Sequence, residues 1–183
     1  MTTERLWAPW RLSYIVNKDS GIASEPAERP DAPPPLPPGA CFLCQYLAAE
    51  QRFDREHYLL HRGPTTVTVL NRYPYNNGHL LVAPREHKAG LADLTPAELL
   101  ECQTELVTWT EILSRTFKAQ GFNIGLNLGS VAGAGLPGHL HWHIVPRWAG
   151  DTNYMPVVAA THVLPQALET AWEILASARS ASE

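Results

Sequence analysis

Apolar and polar residues alternate in five short stretches, 57–60, 66–71, 79–83, 122–128 and 140–145, each with the length and period of a half-buried strand. Between the third and fourth the period changes: Leu99, Cys102, Leu106, Leu113 and Phe117 recur every three or four residues, as on one face of a helix. Thr95-Pro96-Ala97-Glu98 supplies an N-cap, a proline at the first helical position and a glutamate able to close a capping box, so a long helix is expected from Thr95. Gly121 stands where a C-terminal cap is expected. A short helix is expected over 41–50 and a last amphipathic one from near Pro165, with a fraying tail. The stretch 73–78, Tyr-Pro-Tyr-Asn-Asn-Gly, is a reversal between two strands. Strands in runs around one long helix predict an α+β domain on a mostly antiparallel sheet of about five strands, followed by a C-terminal helix.

The first forty residues break this pattern. Residues 26–38 hold seven of the sixteen prolines, which lack the amide hydrogen that helices and sheets need, so 26–40 reads as an exposed loop. Residues 1–25, with Trp7, Trp10, Tyr14, Ile15 and Val16, are too few to fold alone and too aromatic to be left in water. They are expected to form an arm packed on the body or on a partner subunit. The main domain is then 41–160, and 161–183 the terminal helix and tail.

Composition narrows the function. A chain of 183 residues, 45% hydrophobic and 17% charged, suits one core. Its net charge of −4 argues against nucleic-acid polymers as partners. No apolar run approaches the roughly 20 residues that cross a bilayer, and no signal peptide is visible, so a soluble, cytoplasmic protein without membrane association is expected. Of three cysteines, Cys41 and Cys44 form a CxxC that suits a metal or redox pair better than a disulfide, and Cys102 sits on the apolar helix face as core.

The densest chemistry lies at His139-Leu-His141-Trp-His143. If this segment is a strand, the three imidazoles share one face while Leu140, Trp142 and Ile144 cover the other. Such a row can hold a phosphate; two strand histidines also suit an open zinc site, and single buried histidines are commonly just satisfied core. Upstream, Asn127, Gly129, Gly133, Ala134, Gly135 and Gly138 form a glycine-rich loop whose amides can turn toward an anion.

These residues resemble the histidine triad (HIT) family motif, in which three histidines alternate with apolar residues. Leu70-Asn71-Arg72-Tyr73-Pro74 and Gly78-His79-Leu80-Leu81-Val82-Ala83-Pro84 resemble its upstream signature. The arm at 5–15 and the segment 150–157 look like the bacterial branch related to diadenosine tetraphosphate (Ap4A) phosphorylases. The resemblance implies a HIT-like fold and hydrolysis or transfer at the α-phosphate of dinucleoside polyphosphates, with water or phosphate as acceptor. It assigns the covalent AMP-bearing nucleophile to His141 and the phosphate or leaving-group contact to His143. In sugar-transferring relatives this third position is glutamine, so His143 favours the hydrolase or phosphorylase side. Further implied are phosphate contacts at Asn127, Gly133, Ala134 and Gly135, ribose contact at Asn71, and nucleobase walls at Phe42, Leu43 and Tyr46, with Val69 and Leu81. Relatives often carry serine or threonine just before the first histidine; here Gly135-Leu136-Pro137-Gly138 stands instead. Zinc-containing relatives use a CxxC, a histidine after a Pro-x-x step and the first triad histidine, which implies a structural zinc on Cys41, Cys44, His87 and His139 and no organic cofactor. A homodimer and an AMP-containing nucleotide partner are implied as well. Hydrolysis of adenosine phosphoramidates, a zinc-stabilised nucleotide-binding module with little turnover, and open-site zinc catalysis by the three histidines are the alternatives.

Overall fold

Every residue of the stretches 66–70 and 80–84 is buried, which requires cover on both faces of these strands. The computed structural model describes residues 40–151 and 164–181 and meets this demand with helices on each side of a sheet. In chain order the elements are α1 (Phe42–Ala48), β1 (Leu59–Arg62), β2 (Thr66–Leu70), β3 (Leu80–Pro84), α2 (Pro96–Thr116), β4 (Gly121–Leu126), β5 (Trp142–Arg147) and α3 (Leu168–Ser180). The five strands pair in the order β1-β2-β3-β5-β4, antiparallel throughout. The last strand is thus inserted between β3 and β4, which carries the histidine segment inside the sheet.

Register sorts the two faces. Val82 pairs with Trp142 and Leu80 with Ile144, and these side chains join Leu60, Leu70 and Leu140 beneath α2 and α3. On the other face Leu59, Val67, Val69, Leu81 and Ala83 pack under Leu43 and Tyr46 of α1. Leu81 pairs with His143, and Gly125 lies opposite His143 from β4, so the second face continues past α1 into the triad. Arg62 fastens α1 to this face. Its guanidinium donates to the carbonyls of Tyr46, Leu47 and Ala49, the orphan acceptors at the end of the helix, and pairs with Asp54 at 2.7 Å.

Trp109, fully buried on α2, donates its indole N–H to Thr68 Oγ1 and Glu105 Oε2. Glu105 in turn accepts from Arg179 at 2.9 Å, and Trp172 donates to the carbonyl of Leu59, so α3 is held to α2 and β1 by polar contacts inside an apolar seam.

The long helix starts where expected: Thr95 and Glu98 form the reciprocal capping box with proline next to it. Its end differs. The expected glycine cap at Gly121 is instead the first residue of β4; the helix closes at Phe117, and Lys118 takes the left-handed turn at φ 55°. Trp148 Nε1 donates to the Phe117 carbonyl, which satisfies the terminus without a glycine there. Leu99, expected in the core stripe, is 42% exposed; Trp109 and Ile112 occupy that stripe together with Cys102, Leu106 and Leu113. The first and last strands begin two residues later than the alternation suggests, at Leu59 and Trp142. The aromatic arm 1–25 and all but the last residue of the loop 26–40 lie outside the described residues, as does the segment 152–163.

Candidate active site

The site begins with how His79 is delivered. Gly78, at φ 69°, makes the turn into β3, and a Cβ there would lie 2.9 Å from the Phe117 ring, so only glycine fits. His79 follows, fully buried. Its Nδ1 accepts the backbone N–H of Tyr75 at 3.0 Å and faces the Asn71 side-chain amide at 3.2 Å. With Nδ1 accepting, the ring proton sits on Nε2, which points at His143 Nδ1 at 3.0 Å. That contact makes His143 Nδ1 the acceptor and puts the proton of His143 on Nε2, a buried nitrogen with no partner among the described residues. Burial first, then the neighbouring histidines, push the pKa of His143 down to about 4 and that of His79 to about 3, so both rings are neutral at pH 7.

His141 is oriented by the main chain. Its Nδ1–H donates to the carbonyl of His139 at 2.8 Å, which leaves the Nε2 lone pair unprotonated. The His141 and His143 rings meet edge to face with centroids 5.1 Å apart. A nitrogen lone pair and an N–H donor are therefore held side by side on one face of β5.

His139 is turned to another purpose. It precedes the strand, is fully buried, and donates from Nε2 to the Pro84 carbonyl at 2.8 Å. Its Nδ1 lies 3.1 Å from Cys41 Sγ and 3.5 Å from Cys44 Sγ, and His87 Nδ1 lies 3.3 Å from Cys44 Sγ. The four ligand atoms are all within 4.8 Å of one another. Three pieces of chain converge here. Cys41 caps the N-terminus of α1; the loop after β3 brings His87, pinned where Leu140 N–H meets the Lys88 carbonyl at 2.7 Å; and the entry to β5 brings His139. Gly138 completes the fit, since a Cβ would stand 3.2 Å from His87 Nε2. Donor chemistry and spacing both suit a four-coordinate metal, with the His139 tautomer already set by Pro84. Without such an ion, burial and the neighbouring Cys41 thiol raise the Cys44 thiol to about 11. The three triad histidines do not form a metal site of their own. His141 Nδ1 and His143 Nδ1 are engaged elsewhere, and His139 belongs to the cysteine group.

The remaining expected contacts are distributed unevenly. Asn71 accepts Tyr73 N–H on Oδ1 and points Nδ2 at His79, which leaves one lone pair and one N–H for a ligand. In the glycine loop, the amides of Gly133 and Ala134 close the loop on Ser130 and Gly129 carbonyls, at 3.0 and 3.3 Å. Both amides are engaged within the loop's own turn. Gly135, by contrast, makes no backbone bond among the described residues. Asn127 is half-buried just beyond β4. Of the nucleobase walls, Leu43, Tyr46, Val69 and Leu81 are buried in the cluster under α1, while Phe42 keeps an open side and meets Tyr46 edge on. Sequence reasoning left His57 without a role; it stacks on Tyr46 with centroids 4.3 Å apart and backs the α1 wall. In the sequence His79 is visible only as part of the Gly78–Pro84 signature.

A central strand whose entry hands one histidine to a cysteine cluster, with two more in phase behind a glycine-rich loop, defines a histidine triad protein. The chain belongs to this family: the HIT domain model matches residues 54–150. It is 34% identical over 178 residues to the AP-4-A phosphorylase of Mycobacterium tuberculosis strain H37Rv, covering 95% of this chain and 83% of that protein. It is also 34% identical over 100 residues to the asymmetrical bis(5'-nucleosyl)-tetraphosphatase of Schizosaccharomyces pombe, covering 55% of this chain and 54% of that one. The fold is shared with a Zn-bound histidine triad family protein from Mycobacterium smegmatis, at a TM-score of 0.61 and 22% identity over 79% of this chain and 98% of that one. It is shared too with a histidine triad nucleotide-binding protein of Sulfolobus tokodaii, at a TM-score of 0.61 and 23% identity over 77% and 93%.

Proposed function

We propose that this chain cleaves dinucleoside polyphosphates, with Ap4A as the reference substrate, through a covalent AMP–His141 intermediate. The observation that carries the reading is the pairing of an unprotonated His141 Nε2 with a His143 Nε2–H that has no partner among the described residues. In the first step His141 Nε2 attacks the α-phosphorus, the bond from that phosphorus to the bridging oxygen breaks, and ATP departs. His143 donates its hydrogen bond to the oxygen on which charge develops, and Gly135 offers a backbone N–H to the phosphate. In the second step an acceptor displaces His141 and restores its lone pair. We take inorganic phosphate as that acceptor, giving ADP, on the likeness to a phosphorylase over nearly the whole chain. Asn71 holds the ribose and Asn127 buttresses the phosphate; Phe42, with Leu43 and Tyr46 behind it, walls the base.

Cys41, Cys44, His87 and His139 would hold zinc, since two thiolates and two imidazoles form a closed tetrahedral set. Bound there, the ion stiffens the fold and supplies no open position for water. Thiols kept as ligands agree with a cytoplasmic location, and no helix among the described residues is long and apolar enough to cross a membrane. We assign a homodimer through the edge strand β4, unpaired on one side among the described residues, and the outer face of α2, where Ile124, Leu100 and Val107 are exposed.

The test is product analysis with Ap4A in the presence and absence of phosphate. ADP and ATP are expected with phosphate; AMP and ATP in both conditions would make water the acceptor. Absence of cleavage would overturn the reading.

A further inference from the structure

The neutral histidines leave open what meets the charge of the departing polyphosphate. Beyond His143 on β5, strand alternation returns to the same face at Val145 and Arg147, about 13 Å along for four residues. β4 runs beside them with Asn123 opposite Val145 and Gly125 opposite His143, both exposed, and none of the described residues lies within 4 Å of the Cβ position at Gly125. Among the described residues, His143, Gly125, Asn123 and Arg147 thus line one face of the β4–β5 pair running away from the nucleophile, with Val145 buried between them.

Arg147 is held at its far end. It donates from Nη1 to Asn123 Oδ1 at 2.9 Å and from Nη2 to Asp151 Oδ1 at 2.9 Å, with Nε also on the Asp151 carboxylate. The Asp151 side chain is buried at 9% exposure and also accepts from Asn76 Nδ2 and Trp148 N–H, while Arg147 is 46% exposed. The carboxylate's charge is therefore shared among several donors beneath the surface. Three of the five guanidinium N–H groups are used by these contacts, and the other two have no partner among the described residues.

We propose that Arg147, positioned by Asp151 and Asn123, binds the distal phosphates of the leaving nucleoside polyphosphate. This rests on the dinucleoside polyphosphate reading of the triad and adds to it a leaving-group subsite. A fixed planar fork suits phosphate oxygens, and an extended ATP leaving group spans the distance from His141 past His143. The chain binds a polyanion despite its net charge of −4 because one cation is placed where that charge accumulates.

The experiment compares wild type with Arg147→Gln and with the double variant Arg147→Gln/Asp151→Asn, which removes the pair without stranding a buried carboxylate. Calorimetric titration with inorganic tripolyphosphate and with AMP separates the two subsites. Tripolyphosphate affinity is expected to fall about 10-fold or more, as for loss of a charge-assisted contact, with AMP affinity unchanged. KM for Ap4A should rise by a similar factor while that for adenosine phosphoramidate, whose leaving group is ammonia, stays level. Unchanged tripolyphosphate affinity in the folded double variant, or equal losses for both substrates, would overturn the subsite and leave the triad reading standing. Failure of wild type to bind AMP would count against that reading, and the tripolyphosphate arm would still judge Arg147.

Discussion

His79 Nε2 lies 3.0 Å from His143 Nδ1, and this contact, with the Tyr75 N–H on the other nitrogen of His79, sets the proton of His143 on Nε2, the nitrogen without a partner among the described residues. A residue outside the triad therefore decides which way its third member can donate. Gln at position 79 can accept from Tyr75 and donate to His143; Leu can do neither. His79→Leu is expected to lower kcat for Ap4A about 10²-fold, the scale of one lost transition-state donor, and His79→Gln to recover much of it with little change in KM. Equal activity of the two variants would remove the orienting role.

His141→Ala is expected to abolish turnover, by about 10³-fold or more as for loss of a covalent nucleophile, while AMP still binds. Acid-quenched wild type with radiolabelled Ap4A should carry label that is acid-labile and alkali-stable, as a phosphoramidate is. Label retained in His141→Ala would assign the nucleophile elsewhere.

Stability should fall on the acid side in two stages. His143 and His79 have folded-state pKa values near 4 and 3 against an ordinary 6.5, so the unfolded chain takes up protons first as pH drops below about 6.5. Their contribution is complete above that pH and is lost as pH falls toward 4 and 3. Glu98, hydrogen-bonded by Lys88 and Thr95, is lowered to about 2 and its contribution is lost between about 4.5 and 2. Urea midpoints measured from pH 7.5 to 3 should decline through both windows. His79→Gln should flatten the upper one, and Glu98→Gln the lower.

Purified protein is expected to hold one zinc per chain, measured by elemental analysis. Chelation, or Cys44→Ala, should lower Tm by several degrees or more, since binding to the folded state is folding free energy. Gly138→Ala places a Cβ against His87 and should weaken zinc affinity without touching a ligand. Full turnover in a chelated but folded sample would agree with a purely structural ion.

Arg62 closes the end of α1, and with it the wall proposed for the nucleobase. Arg62→Met leaves three carbonyls and Asp54 without their donor, at a cost of about 2–3 kcal/mol for lost bonds to a charged group. Denaturant melts should show that loss, and AMP affinity should drop with it. An unchanged affinity would separate α1 from base binding.

Much of this protein was legible along the chain because the signals were local. Period-two alternation marked the strands, Thr95 and Glu98 marked the long helix, and three histidines in phase after a glycine loop marked the candidate site and its resemblance to the HIT family. The misreadings came where a distant contact overrode a local rule. The Phe117 carbonyl is satisfied by Trp148, so Lys118 and not glycine ends α2; Leu99 faces outward because Trp109 fills the seam with Thr68 and Glu105.

Sequence by itself put three histidines in phase behind a glycine-rich loop, since strand alternation and glycine spacing are properties of adjacent positions. It could not determine what each nitrogen does. That was decided when β5 was inserted between β3 and β4, placing His143 against His79, His139 against Cys41 and Cys44, and Arg147 beside Asn123. The tautomers of His143 and His139 and the cysteine–histidine ligand set depend on partners tens of residues away, and only the packed sheet brings those atoms within hydrogen-bond reach.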